Sequence, residues 1–221
     1  MALDAPFIAR HLPDFGRAFL LTLGLGVAAI GGSLVVGLLG NGLRHVPIPG
    51  ARFLVRSYVE VARNTPLLVQ LFFLYFGLPA LGIRWSGLTC AVVGLTFLGG
   101  SYMIETFRSG FDAVKKEQIE AGLSIGLSRF QLVRYVILPQ ALATALPGVA
   151  ANCIFLLKET SIVGIIAVPD LMHLTQGLIG LYYKTYESLL LLTLAYLLMI
   201  VPASWALFRL ERRLRYGHRP A

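Results

Sequence analysis

Glu120-Ala121-Gly122-Leu123-Ser124-Ile125-Gly126, followed after nine residues by Val136-Ile137-Leu138-Pro139, is a polar, small-residue stretch in a chain that otherwise reads as membrane helix. Asp112, Lys115, Lys116, Glu117 and Gln118 keep its approach wet. Ala121, Gly122 and Gly126 offer a face on which another backbone can come close. Gly126 is placed to end a short helix in the left-handed conformation. Two residues later Ser128 and Gln131 make a capping-box pattern, so a second helix starts there. Segment 112–139 therefore reads as a helix, a sharp bend and a helix rising to Pro139. Such an element is able to pass a partner's motion to the spans; the plainer reading is a loop that merely links two helices.

Outward from this stretch the chain is apolar. Hydrophobic residues make up 57% of the 221 positions and charged residues 14%, and the mean hydropathy is +0.75. Several apolar runs reach the roughly 18–20 residues that cross a bilayer as helix. Lipid satisfies no backbone polar group, so spanning segments must be helices or a closed barrel. None of the runs alternates with period two, which excludes barrel strands. The expected fold class is an all-α integral membrane protein.

Five spans are expected, at about 18–39, 53–78, 88–107, 145–168 and 188–208. Residues 1–17 read as a short outer lead-in and 209–221 as a basic tail; no repeat and no soluble domain is visible, and no cleavable leader is expected. Arg44, Arg52 and Arg56 follow the first span, Arg108, Lys115, Lys116, Arg129 and Arg134 the third, and Arg209, Arg212, Arg213, Arg215 and Arg219 the last. Basic segments stay in the cytoplasm, which puts the N-terminus outside and the C-terminus inside. The net charge of +8 is thereby a topological signal and not a nucleic-acid footprint. The connection 169–186 is apolar enough to be a short helix at the outer face. Cys90 and Cys153 lie in apolar runs without paired spacing and read as small hydrophobes, and His11, His45, His173 and His218 have no metal-ligand spacing.

The Glu-Ala-Gly, three residues, Gly, nine residues, Val-x-Leu-Pro pattern resembles the EAA signature of importer-type ABC transporter permeases, with Gly122 for the second Ala and Val136 for the Ile. Arg63-Asn64-Thr65-Pro66-Leu67-Leu68-Val69-Gln70, the Tyr102-x-x-Glu105-x-x-Arg108 spacing and Lys158-Glu159-Thr160-Ser161 are similar to the permeases for polar amino acids. The likeness runs from about Arg56 to Glu211. It implies a type I importer permease in the bacterial plasma (inner) membrane. Its coupling helix, carrying Glu120, Ala121, Gly122 and Gly126, would seat on a separate ATP-binding ABC subunit. It further implies a second permease chain, identical or related, and an extracytoplasmic amino-acid-binding protein. No Gly-x-x-x-x-Gly-Lys-Ser/Thr phosphate loop occurs, so the chain is expected to be no enzyme and to hold no cofactor, ATP being bound by the partner.

Ionisable groups at membrane depth cost roughly 2.5–3.5 kcal/mol on insertion scales and mark function by default. Lys158 and Glu159 lie about midway along the fourth span, and Glu159 shares a helical face with Asn152. Asn152, Glu159, Thr160 and Ser161, with Lys158, are candidates for the substrate route; alternatively Lys158 snorkels outward and the hydroxyls satisfy helix backbone. Asn64-Thr65-Pro66 reads either as a helix restart, with Asn64 or Thr65 capping and Pro66 at the first helical position, or as a proline kink. A restart would aim a positive dipole end at an anionic group and bring Thr65 to the route. Arg56, Glu60 and Arg63 recur at helical spacing as an inner gate or a headgroup stripe, and Glu105 is placed to pair with Arg108 within its helix. An ion-driven secondary transporter is the alternative function, and would call for an internal repeat. A membrane-embedded enzyme would call for a converging catalytic set that the residues do not offer.

Overall fold

The structure, a computed structural model, describes residues 3–216. Among these residues all regular structure is helical. Helix α1 (Ala5–Leu43) begins at Asp4, whose carboxylate accepts from the Phe7 amide at 3.0 Å. At 39 residues it is about 58 Å long, well beyond the ~30 Å hydrocarbon thickness. No break separates residues 5–17 from the span, and Pro13 is carried inside the helix.

After α1 come α2 (Ala51–Asn64), α3 (Leu67–Phe72) with a π turn Phe73–Gly77 and a tight turn Leu78–Leu81, and α4 (Gly87–Asp112). Next are α5 (Lys116–Ser124), α6 (Arg129–Leu132) with a π turn Val133–Ile137, and α7 (Leu138–Glu159), which tightens into a 3-10 segment Thr160–Ile166. The chain closes with α8 (Leu171–Tyr182), the short helix expected in 169–186, and α9 (Thr185–Tyr216). Among the described residues four helices are long and apolar enough to span, or five if the bent pair, 51–64 with 67–81, counts as one span. Of the expected basic tail, Arg209 and Arg212 continue α9 and stack on Trp205 and Phe208; residues 217–221 lie outside the described residues.

The second span corrects the expected capping. Its two parts meet at 103°. Proline disfavours helix at the residue before it, and Thr65 is extended at φ −111°, ψ 126°. Pro66 is the cap residue of α3 rather than its first helical position, and no side chain caps that end. The Asn64 side-chain Nδ2 instead donates back to the Glu60 carbonyl at 2.8 Å. The break is repaired from α3: the Gln70 side-chain Nε2 donates to the carbonyls of Ala62 and Thr65, both at 2.9 Å. Without water, freed backbone carbonyls in a span need such partners.

Helix α4 is the centre of the bundle, with α1, α2, α3 and α7 around it. Small residues let it lie close to its neighbours, as membrane helices require. A side chain at Gly37 would collide with Met103, and one at Gly110 with the Ala141 carbonyl of α7. Gly99, halfway along α4, packs on Ser33 and Leu156, which sets Lys158 and Glu159 near the mid-depth of the bundle. Cys90 and Cys153 are buried in apolar clusters. At the other end from α5, Lys184 donates to Asp4 at 2.9 Å while the Asp4 amide donates to Glu187 at 3.1 Å. That tie holds the start of α1 against the α8–α9 turn.

Candidate functional site

Two regions concentrate the polar residues. The first is the elbow after α4. Helix α5 ends in a complete left-handed cap: Gly126 has φ +83°, its amide donates to Leu123 at 3.0 Å, and the Leu127 amide donates to Gly122 at 3.1 Å. This is the paired bond pattern of a Schellman motif. Ser128 then caps α6 in a capping box, its hydroxyl accepting from the Gln131 amide and its own amide donating to the Gln131 side chain at 2.9 Å. The two helices are thereby fixed on either side of a bend only a few residues long.

Small residues divide their labour in the elbow. Glu120, Ala121 and Gly126 are exposed. Gly122 is not on the partner-facing side expected of it: it is buried, and a Cβ there would meet Leu132 at 2.6 Å. Its smallness lets α5 pack on its own second arm. The tip is apolar, with Ile125 78% and Phe130 77% exposed, while Lys115, Lys116, Glu117 and Gln118 keep the flank polar. Exposed apolar side chains of this kind, rimmed by polar residues, are the sort of patch that marks interaction sites.

The second region lies in the spans. Arg44, Arg56, Glu60, Arg63, Asn64, Tyr102, Glu105 and Arg108 line a cavity of about 600 Å³ between α2 and α4. Arg56, Glu60 and Arg63 therefore face α4 across a cavity. Glu105 takes Arg108 at 2.6 Å, as the spacing predicts, and also Arg44 at 3.4 Å; Arg108 reaches Asp112 at 3.6 Å. The Arg63 guanidinium lies 5.1 Å from the Tyr102 ring centroid. Across the same face of α4 a second cavity of about 460 Å³ shares Arg63, Tyr102, Glu105 and Arg108 and adds Thr106, Ser109, Thr144, Gly148 and Asn152. Asn152 donates to Thr106 at 2.9 Å.

Of the remaining residues proposed for the route, Lys158 and Glu159 end α7, Thr160 and Ser161 open the 3-10 segment after it, and Thr65 lies between α2 and α3. Glu159 and Ser161 are half-buried and Lys158 is exposed on the isolated chain. Thr160 is fully buried and its hydroxyl donates to the Leu157 carbonyl at 2.7 Å, the backbone use foreseen as one alternative. Thr65 is half-buried at the break of the second span. Asn152 is brought into a cavity with Arg63, Glu105 and Arg108; neither cavity is lined by Glu159, Thr160 or Ser161.

Arg44 and Gln70 carry more than their sequence context suggests. Arg44 counts as a loop charge until α1 is seen to deliver it to Glu105 on α4. Tyr102, Glu105, Thr106 and Ser109 form a polar stripe at helical spacing, which was the available signal for the groove on α4.

The comparisons with known proteins agree with this fold. Residues 33–216 match the family described as binding-protein-dependent transport system inner membrane component. The chain is 36% identical over 217 residues to the glutamine transport system permease protein GlnP of Escherichia coli (strain K12), covering 97% of this chain and 99% of that one. It is 36% identical over 209 residues to GlnP of Bacillus subtilis (strain 168), described as a probable glutamine ABC transporter permease protein, covering 92% and 95%. Among solved structures, a crystal structure of an amino acid ABC transporter with histidines superposes with a TM-score of 0.89 at 32% identity, covering 96% of this chain and all of that one. The inward-facing MetNI methionine ABC transporter, at 21% identity and a TM-score of 0.73 over 96% of this chain and 99% of its own, shares the fold. The chain belongs to the binding-protein-dependent transport system inner membrane component family, as a permease subunit of an ABC importer.

Proposed function

We propose that this permease carries a polar amino acid, delivered by an extracytoplasmic binding protein, and that a separate ATP-binding subunit docked on the α5–α6 elbow drives it. The observation that carries the reading is the elbow itself. A bend locked by a Schellman cap and a capping box, with an exposed apolar tip, suits a lever that must transmit force without flexing. Glu120, Ala121 and Gly126 are the contacts assigned to the ATPase. The glutamine permeases among the relatives support a polar amino acid as cargo.

With five spans and a polar groove open along α4, one chain is half of a pathway, completed by a second permease around a two-fold or pseudo-two-fold axis. Alternation between outward and inward openings then follows closure and separation of two ATPase subunits. The distribution of Lys and Arg supports an N-terminus outside and the elbow in the cytoplasm. Asn152, Glu159, Ser161, Thr160, Lys158 and Thr65 remain the residues assigned to the route. Of these, Asn152, on the groove beside Arg63 and Glu105, carries the strongest support.

The test is reconstitution of the permease with its ATP-binding subunit and binding protein in liposomes, with a panel of labelled amino acids. ATP-dependent uptake of one or a few polar amino acids is expected. Uptake that follows an ion gradient and ignores ATP contradicts the reading.

A further inference from the structure

We propose that the elbow-side end of α9 is a binding site for an anionic phospholipid. The headgroup phosphate is held between the guanidinium groups of Arg209 and Arg212, and the acyl chains lie along the face of α9 that leads away from them.

The site is built at helical spacing. Trp205, Phe208, Arg209 and Arg212 follow one another at steps of three, one and three, which puts them on one face of α9. The Arg209 guanidinium lies 3.8 Å from the Trp205 ring centroid, and that of Arg212 lies 5.6 Å from the Phe208 ring centroid. Both rings are more than half exposed, Trp205 at 58% and Phe208 at 54%. A guanidinium over a ring keeps its edge N–H donors, and those donors match phosphate oxygens. The ring contact also places a long side chain before the ligand arrives, which lowers the ordering cost of binding.

The depth suits a headgroup. From Tyr186, near the start of α9, to Trp205 is about 28 Å of helix at 1.5 Å per residue, close to the ~30 Å of hydrocarbon. Both side chains are exposed, and Tyr and Trp at the two ends of a span mark its two interfaces. Arg209 and Arg212 stand one and two turns beyond Trp205, at the level of the phosphates.

Composition favours lipid over a second protein chain as the occupant. Toward Tyr186 the same face continues through Val201, Leu198, Leu197 and Leu194, each more than half exposed. Helices that meet inside a membrane approach through small residues, as α4 does at Gly99 and Gly110. Segment Thr185–Tyr216 contains no glycine, and large branched side chains suit acyl chains. At the elbow-side end Arg209, Arg212 and Arg213 face one acidic neighbour, Glu211. A lipid of net negative charge answers that excess, and a zwitterionic one does not.

The chain has two tryptophans, Trp85 and Trp205, and Trp85 precedes α4 at the opposite end of the bundle from the elbow. The experiment uses the full-length permease carrying Trp85→Phe, so that Trp205 fluorescence alone is read. It is reconstituted in vesicles of phosphatidylcholine with a minor fraction of phosphatidylglycerol. Bromine on the acyl chains, a contact quencher, is carried either by the phosphatidylglycerol or by an equal amount of the phosphatidylcholine. Trp205 should be quenched more strongly by the brominated phosphatidylglycerol. The ratio of association constants should be about fivefold or more, the worth of one basic residue near an anionic surface. With Arg209→Gln/Arg212→Gln added, the two lipids should quench equally. With the arginines intact, molar salt should bring them toward equality, an arm that needs no arginine variant to fold. Equal quenching at low salt, or a preference that survives either treatment undiminished, overturns the proposal. Absence of quenching by either lipid assigns the face to a second protein chain and overturns it too.

Discussion

The elbow and the broken second span both turn the chain sharply, and they do so by opposite means. At the elbow the turn is made by local rules: Gly126 in the left-handed region, Ser128 with Gln131 in a capping box, all within seven residues of α5's end. In the second span no cap closes α3, and the turn holds because Gln70 reaches back to Ala62 and Thr65. In water a turn is stabilised by its own residues, because solvent serves whatever carbonyls remain. In a membrane the same carbonyls need a protein partner, so one side chain on the next helix decides the geometry. A turn of the first kind is legible in sequence; a turn of the second kind is legible only in space.

The largest effect is expected where the second kind is broken. Gln70→Leu strips two carbonyls of their donors and should lower stability by about 2 kcal/mol, seen in thermal unfolding of the detergent-solubilised protein. Gln70→Glu keeps the shape, but its carboxylate donates nothing and faces two carbonyl oxygens, so it should lose at least as much as Gln70→Leu. An unchanged unfolding temperature for Gln70→Leu would show that the break holds without it.

Next is Gly126→Val. A β-branched residue in the left-handed region costs about 1–2 kcal/mol, confined to the elbow. The spans should keep their unfolding temperature within a few degrees, while uptake falls about tenfold, the rate equivalent of 1.4 kcal/mol. Gly126→Asn, a residue that tolerates this conformation, should restore most of the uptake. Ser128→Ala removes the helix cap and should cost about 1 kcal/mol, read as faster amide hydrogen exchange in α6 alone.

The smallest effect belongs to the Asp4–Lys184 tie, whose side chains are both half-exposed. The hydrogen bond from Lys184, and after it the Phe7 amide, holds the Asp4 carboxyl below its usual range, while the bond to Asp4 raises the Lys184 ammonium. The carboxyl's part is present above the ordinary carboxylate range and is lost as pH falls through its lowered value. The ammonium's part is present below the ordinary lysine range and is lost as pH rises through its raised value. The stability difference between wild type and Asp4→Asn should therefore be flat from about pH 5 to 10, begin to shrink below about pH 4, and vanish only once the pH is under the lowered Asp4 value. A difference that instead persists in acid would assign Asp4 a role other than the ion pair.

The same contrast explains what the sequence made legible. The five spans, the elbow, the Gly126 cap, the capping box and the Glu105–Arg108 pair are all local in sequence, set by apolar run length or by spacings of three and four. They also sufficed to point to the importer permeases, which the family match and the relatives bear out against an ion-driven carrier. What escaped was long-range. Arg44 meets Glu105 across 61 positions, and Asn152 meets Thr106 across 46. Arg56, Glu60 and Arg63 are a cavity wall only because α4 lies opposite. Gly122 reads as a docking residue until Leu132 is seen to occupy its face.

The central claim is that the elbow delivers force from a partner's ATP hydrolysis to the spans. It is tested most directly by measuring uptake and ATP hydrolysis together, in liposomes, for the wild type and for Glu120→Lys with Gly126→Val. Wild-type hydrolysis should rise with loaded binding protein and drive uptake. In the double variant, correctly inserted, the ATP-binding subunit should dissociate or hydrolyse ATP without uptake. Stimulated hydrolysis with undiminished uptake in that variant would contradict the account.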